Sequence, residues 1–257
     1  MIEEKDYKLY LDTATMAGKL MLESGAEIYR VEDTIQRMLS VSGLKTAEAY
    51  VTSTGIMVTL DDPKVDSMTV IRRISSRGTD LKIVCMVNDI SRKFCEGRIT
   101  LKEAFHDLKH LDSYQYNHTQ VDIALIGVTF FFALVFGGTF QDAVAAGING
   151  ILINFMLRVS QRFEMSAFME NVICSVALAV GAVVMSWIPG FLIHVEPVIV
   201  SSIMPIVPGA AFTTAIRDTL QGDYIAGGAK ALEALVKVIA IVIGVGLGIR
   251  LTGGILI

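Results

Sequence analysis

Cysteine is scarce in this chain: Cys85, Cys95 and Cys174 are the only three, and no two form a Cys-x-x-Cys pair. That scatter offers neither a disulfide framework nor a zinc cluster, so the thiols read as reduced and structural. No Gly-x-Ser-x-Gly, no phosphate-binding glycine-rich loop and no Cys/His arrangement occurs, so nucleophilic catalysis and nucleotide-driven work have no motif to rest on. No cofactor motif is present either. There is no basic run and no interleaving of aromatic with basic residues, which argues against nucleic acid as a partner. The start, Met1-Ile-Glu-Glu-Lys-Asp-Tyr-Lys, is charged and has no apolar core behind it, unlike a signal peptide, so the front of the chain is expected to stay in the cytoplasm. Charge is also missing from the back: 34 of the 48 charged side chains fall in residues 1–119 and only 14 in residues 120–257.

What is present is apolar. Hydrophobic residues make up 53% of the chain and mean hydropathy is +0.55. That is too apolar for a soluble protein, while 19% charged residues are too many for one built only of spans. The fold class is therefore a membrane protein: a small cytoplasmic α+β domain over residues 1–116, then a bundle of five transmembrane α-helices over residues 117–257.

In the front half, Tyr10, Ala14, Ala17 and Met21 recur at helical spacing and Gly25 supplies a stop. Ser24-Gly-Ala-Glu27 has the form of a capping box opening a second helix that turns Val31, Ile35 and Met38 inward. On its outer face Glu27 with Arg30, and Asp33 with Arg37, suit ordinary surface ion pairs. The period then changes to two. Ala47, Ala49 and Val51 alternate against polar neighbours, Ile56, Val58 and Leu60 follow Ser53-Thr54-Gly55, and after the Asp61-Asp62-Pro63-Lys64 turn a third strand is predicted over Ser67 to Ser75. Helical spacing resumes at Leu81 and stops at Gly97. Thr100-x-x-Glu103 is a second capping box, opening a helix with Ala104, Phe105, Leu108 and Leu111 on one face. His106 and His110, one turn apart there, could share a metal with Asp107, Asp112 or His118. Without the Glu of His-Glu-x-x-His the signal is weak, and beside the apolar stripe they read as a solvated face.

Five apolar spans follow, approximately Val121–Phe140, Ala143–Val159, Phe168–Ile188, Val195–Ile216 and Leu232–Leu251, each near the roughly 20 residues a bilayer core requires. Arg158 and Arg162 follow the second, and Arg217 and Lys230 the fourth, while the alternate loops hold no Lys or Arg. Positive loops face the cytoplasm, which puts the amino terminus inside and, with an odd count, the carboxyl terminus outside. Ala143 with Gly147, and Gly244 with Gly248, have the four-residue spacing of close helix packing.

The fourth span carries Pro205, Pro208 and Gly209 in its middle. Proline lacks an amide hydrogen and its ring clashes with the carbonyl one turn back, so the helix should kink or break and leave the carbonyls of Ser201 and Met204 short of partners. Broken backbone at membrane depth either improves packing or lines a site, and a helix restarting at Gly209 would aim its amides at an anion. Asn149 and Asn154 in the second span, Thr213 after the break, and Arg217-Asp218 at the cytoplasmic mouth are the remaining candidates for a transport pathway. Lys237 reads as an interfacial anchor.

Two stretches resemble the signatures of the threonine/serine exporter (ThrE) family. Leu22-Glu-Ser-Gly-Ala-Glu-Ile-Tyr-Arg-Val-Glu32 is similar to its amino-terminal motif. Ile206-Val-Pro-Gly209, with Arg217-Asp218, Gly222-Asp223 and Gly227-Gly228, is similar to its membrane motif. The resemblance carries over Gly25, Ala26, Glu27, Arg30, Val31 and Glu32 as motif positions, with Pro208, Gly209 and Asp218. It implies secondary export of small carboxylate substrates, threonine and serine or a succinate-like dicarboxylate. It also implies the larger subunit of a split system, working in the lipid bilayer with a separate five-span partner subunit. Five spans alone cannot supply paired repeats, so a partner or a homo-oligomer is expected. With no nucleotide-binding motif the energy is expected from an ion gradient, protons being the expected ion. The alternative from another class is a membrane-anchored hydrolase or sensor acting through the cytoplasmic domain.

Overall fold

The computed structural model describes residues 4–63, 65–75, 78–111 and 117–253, the side chains of residues 4–6 and 118 excepted. Lys64 of the predicted turn, and Asp112 and the His118 side chain of the possible metal group, lie outside the described residues. The chain divides into two compact bodies. One comprises Met1–Tyr114 with Ala210–Ala231, the other Gln115–Gly209 with Leu232–Ile257. The segment Ala210–Ala231 falls inside the stretch predicted to be membrane-embedded.

In the first body, helix α1 (Glu4–Glu23) buries Leu11, Ala14, Ala17 and Met21. It stops at Gly25, whose φ of +84° and 2.8 Å approach of a hypothetical Cβ to the Gly78 carbonyl leave room only for glycine. Helix α2 (Ile28–Ser40) packs Val31 and Ile35 over Gly18, where a Cβ would lie 2.4 Å from Ile35 Cδ1. Strands β1 (Thr46–Thr52), β2 (Gly55–Asp62) and β3 (Val65–Arg73) form an antiparallel sheet in chain order. Ala49 pairs with Val58, and Val58 with Val70. Val51, Ile56, Val58 and Leu60 face the core while Tyr50, Met57 and Ile71 are exposed, the alternation of a half-buried sheet. The third strand starts two residues earlier than predicted because Asp62 already pairs with Val65, with an irregularity after Leu60.

Helix α3 (Leu81–Cys95) is capped by Asp80, which accepts from the amides of Lys82 and Ile83. It ends before Gly97, at φ +71°. Helix α4 (Leu101–Lys109) has the predicted Thr100–Glu103 capping box, both reciprocal bonds formed. His106 and His110 are exposed on α4, where His110 Nδ1 lies 2.8 Å from the His106 carbonyl.

The second body contains α5 (His118–Val135), α6 (Phe140–Arg162), α7 (Ala167–Ser186), α8 (Val195–Ile203) and the larger part of α10 (Tyr224–Leu251). Among the described residues three helices, α6, α7 and α10, are long and apolar enough to cross a membrane, and the apolar part of α5, Thr119–Val135, is shorter. The prediction of five spans of full length needs correction at the fourth. The chain breaks after Ile203, leaving α8 with 9 residues, and restarts as α9 (Gly209–Leu220), most of which belongs to the first body. At 1.5 Å per residue, nine residues reach about half of a ~30 Å hydrocarbon core. Exposed Phe131, Val135, Ile151, Phe155, Val242 and Leu247 give this body an apolar surface suited to lipid.

Inside it, Gly244 and Gly248 meet α7. A Cβ at Gly244 would fall 2.5 Å from the Val172 carbonyl, and one at Gly248 2.7 Å from Ala179 Cβ, so the small-residue spacing is used as predicted. At Gly147 the nearest atoms are 3.7 Å away, so its packing demands no glycine.

Candidate functional site

The break at the prolines resolves into tight turns. The Ser201 carbonyl, predicted to lose its partner, accepts from Met204 N at 3.3 Å, and Ile203 O accepts from Ile206 and Val207 N at 3.0 and 3.1 Å. Pro205 and Pro208 sit half-buried in this turn. Gly209 then opens α9, which carries Thr213 and Arg217 on its exposed side and turns Asp218 fully inward, 0% exposed.

Asp218 is the centre of the arrangement. Its Oδ2 accepts from Lys230 Nζ at 2.6 Å, and its Oδ1 from the backbone N–H of Ile28 at 3.3 Å. Lys230 is itself nearly covered, with 12% of its side chain exposed. Ile28 is the first residue of α2, so the carboxylate caps a helix from 190 positions away in the chain and meets the positive end of its dipole. The predicted Ser24–Glu27 capping box does not form: Glu27 is the N-cap residue, but its side chain makes no capping bond. It is instead buried at 6% exposure and ion-paired with Arg217, its second oxygen 3.4 Å from Arg30. The surface-pair reading of Glu27 is thereby corrected, because a buried carboxylate needs a charged partner and the nearest strong one comes from α9. Asp33 and Arg37 do form the exposed pair predicted, at 2.8 Å.

The other motif positions have structural work in the same body. Ala26 and Val31 are core residues. Glu32 Oε1 accepts from Val51 N at 2.9 Å, tying α2 to β1. Burial raises the Glu32 carboxyl above the usual range, the Val51 amide opposes this, and the charge of Asp223 adds to the rise. Asp223 is raised as well, by burial and then by Asp218, with Lys230 acting the other way. The Gly222–Asp223 turn contributes to a cleft of about 260 Å³ with Val51 and Tyr224.

Asn149 and Asn154 belong to the second body and to different neighbours there. Asn149 is buried between helices, its Nδ2 donating to Leu178 O (3.0 Å) and Ser202 Oγ (3.2 Å), while its Oδ1 has no hydrogen-bond partner. Asn154 Nδ2 donates to the Asp122 carbonyl at 3.3 Å, beside the Asp122–Arg158 ion pair. Lys237 pairs with Glu233 one turn away.

Two groups escape sequence reasoning. Lys230 is twelve residues beyond Asp218, a separation no local rule flags. Asp142, fully buried, accepts from Thr139 N and Oγ1 and from His194 N and Nδ1, at 2.6 to 3.0 Å. Its Thr139-x-x-Asp142 capping pattern is visible in the sequence within a stretch that reads as a loop.

The arrangement in the first body thus joins the two motif stretches: the amino-terminal one supplies Glu27, Arg30 and the α2 amide, the later one Arg217, Asp218 and the turn leading to Lys230. No solved structure matches. A curated protein from Mycobacterium tuberculosis (strain ATCC 25618 / H37Rv), named "Probable threonine/serine exporter", is 22% identical over 255 residues, covering 97% of this chain and 47% of that protein. The chain spans about half the length of the curated relative it matches. The model of the ThrE family, described as "Putative threonine/serine exporter", matches residues 12–252, and the chain belongs to that family.

Proposed function

We propose that this chain is one half of a secondary exporter of small carboxylate metabolites, threonine and serine or a succinate-like dicarboxylate, with the first body on the cytoplasmic side. A 97% match of this chain to 47% of its relative supports the half-transporter reading, the other half being a separate subunit or a second copy. The observation that carries the reading is Asp218. A carboxylate with no exposure, locked between Lys230 and the α2 amide beside the half-exposed Arg217, is a costly arrangement unless it can open. In the proposed cycle the Glu27–Arg217 and Asp218–Lys230 pairs form a cytoplasmic latch. A substrate carboxylate competes with Glu27 for Arg217, and the backbone amides after Pro208 offer it a second anchor. Asn149 and Asn154 would line the route through the second body, and Pro205 with Gly209 would let the chain between the bodies bend. An ion gradient, protons by this proposal, supplies the energy.

The test is flux of labelled threonine, serine and succinate from vesicles holding this chain with and without a five-span partner. Glu27→Gln and Arg217→Gln should each abolish flux, while Arg217→Lys, which keeps a cation for the substrate carboxylate, retains part of it. If flux is unchanged in both Glu27→Gln and Arg217→Gln, the latch is not part of transport. If no substrate moves under any pairing, the exporter reading itself fails.

A further inference from the structure

The face of α2 away from the core forms one wall of a cleft of about 380 Å³, with α3 as the other. Its lining is unusual for its guanidinium groups: Arg30 and Arg37 from α2 and Arg92 from α3, with Tyr29 and Asn88 between them. Two acidic residues also line it, but each has its own cation. Asp33 is held by Arg37 at 2.8 Å, and Glu96 by Arg98 at 2.8 Å. Arg30 is held only loosely, 3.4 Å from Glu27, a carboxylate more closely engaged by Arg217. One positive fork, Arg92, has no acidic partner among the described residues, and a second, Arg30, only a shared and loose one. Guanidinium forks match the paired oxygens of carboxylate and phosphate, and two of them facing one cleft favour a doubly charged ligand over a singly charged one.

We propose that the α2–α3 cleft binds a small dianion, a dicarboxylate or a phosphate monoester, and that its binding draws Arg30 away from Glu27. The binding stands on the cleft alone. Its effect on the Glu27–Arg217 pair rests on the latch proposed above, and there the ligand acts as a regulator from outside the transport route.

Cys95 lines the same cleft and provides the readout. It is exposed, as is Cys85, whereas Cys174 is buried. The full chain carrying Cys85→Ala, in nanodiscs of zwitterionic lipid, is labelled at Cys95 with the neutral reagent iodoacetamide. Succinate, inorganic phosphate and the monoanion propionate are titrated at constant ionic strength. Saturable slowing by succinate, by phosphate or by both, with none by propionate at millimolar concentration, is expected. Slowing by succinate alone assigns a dicarboxylate, and by phosphate alone a phosphate ester. Arg92→Gln should weaken the apparent affinity by about tenfold or more, a loss of one charge-assisted fork, while Lys102→Gln, on the exposed side of α4 and outside the cleft, leaves protection in place. Absence of protection by both dianions, or protection that survives Arg92→Gln, overturns the proposal. Protection that obeys these rules while the Glu27 and Arg217 variants transport normally would leave the site standing and remove only the latch.

Discussion

Replacing Lys230 with methionine isolates the Asp218 network. The change keeps the stem and deletes the charge that lies 2.6 Å from a carboxylate with no exposure. What remains for Asp218 is one amide bond, from Ile28 at 3.3 Å. Removing one member of a buried pair costs about 3–5 kcal/mol, because the other charge stays dehydrated and uncompensated. Removing both charges, with Asp218→Asn added, should return most of that loss, since neutral replacements of buried pairs are often tolerated. The asparagine oxygen also keeps an acceptor for the Ile28 amide. Hydrogen exchange of the full chain in nanodiscs reads the effect locally, in peptides covering the start of α2 and all of α9. An opening free energy smaller by about 3 kcal/mol speeds exchange there by about 150-fold, at tenfold for each 1.4 kcal/mol. Peptides from the β-sheet serve as the internal reference. Wild-type exchange rates in Lys230→Met, or a double variant as labile as that single one, would refute the reasoning that a buried pair holds α9 to α2.

Other consequences can be measured in the same preparation. The folded-state value of Glu32 is raised by burial, so its contribution to stability is complete below the ordinary carboxylate range near pH 4 and declines as pH climbs through the raised value. Glu32→Gln, which keeps an acceptor for Val51, should therefore flatten the acid side of a melting-temperature profile, and an unaltered profile would contradict the assignment. Gly244→Leu should abolish the approach of α10 to α7 and shorten the detergent half-life of the protein, while Gly147→Ala leaves it intact; equal effects at the two sites would speak against the packing argument. Asp142→Ala removes the acceptor of the Thr139 and His194 amides, a loss of roughly 2–4 kcal/mol, seen as a lower melting temperature.

The elements of the first body were legible because each has a strict period and explicit stops. Ala14, Ala17 and Met21 recur on one stripe, Val51, Ile56, Val58 and Leu60 alternate, and Gly25 and Gly97 end helices at positive φ. The break in the fourth apolar segment was equally readable from Pro205 and Pro208. Its continuation was not. Apolar residues from Ala210 to Ile216 suit a lipid-facing helix as well as one packed on a soluble core, and only the burial of Asp218 decides between them. The same limit explains Glu27. Ser24-x-x-Glu27 satisfies a four-residue rule, yet the carboxylate is claimed by a guanidinium 190 positions away, a partner that local spacing cannot encode.

Asp142 carries a mechanical implication for the second body. Four donors from two chain segments converge on this carboxylate, three at Oδ2 and the His194 amide at Oδ1. The carboxylate is fully buried, so sliding Thr139 past His194 would strip bonds that water is not there to replace. The starts of α6 and α8 are thus pinned together, which leaves relative motion of these two helices easiest at their far ends.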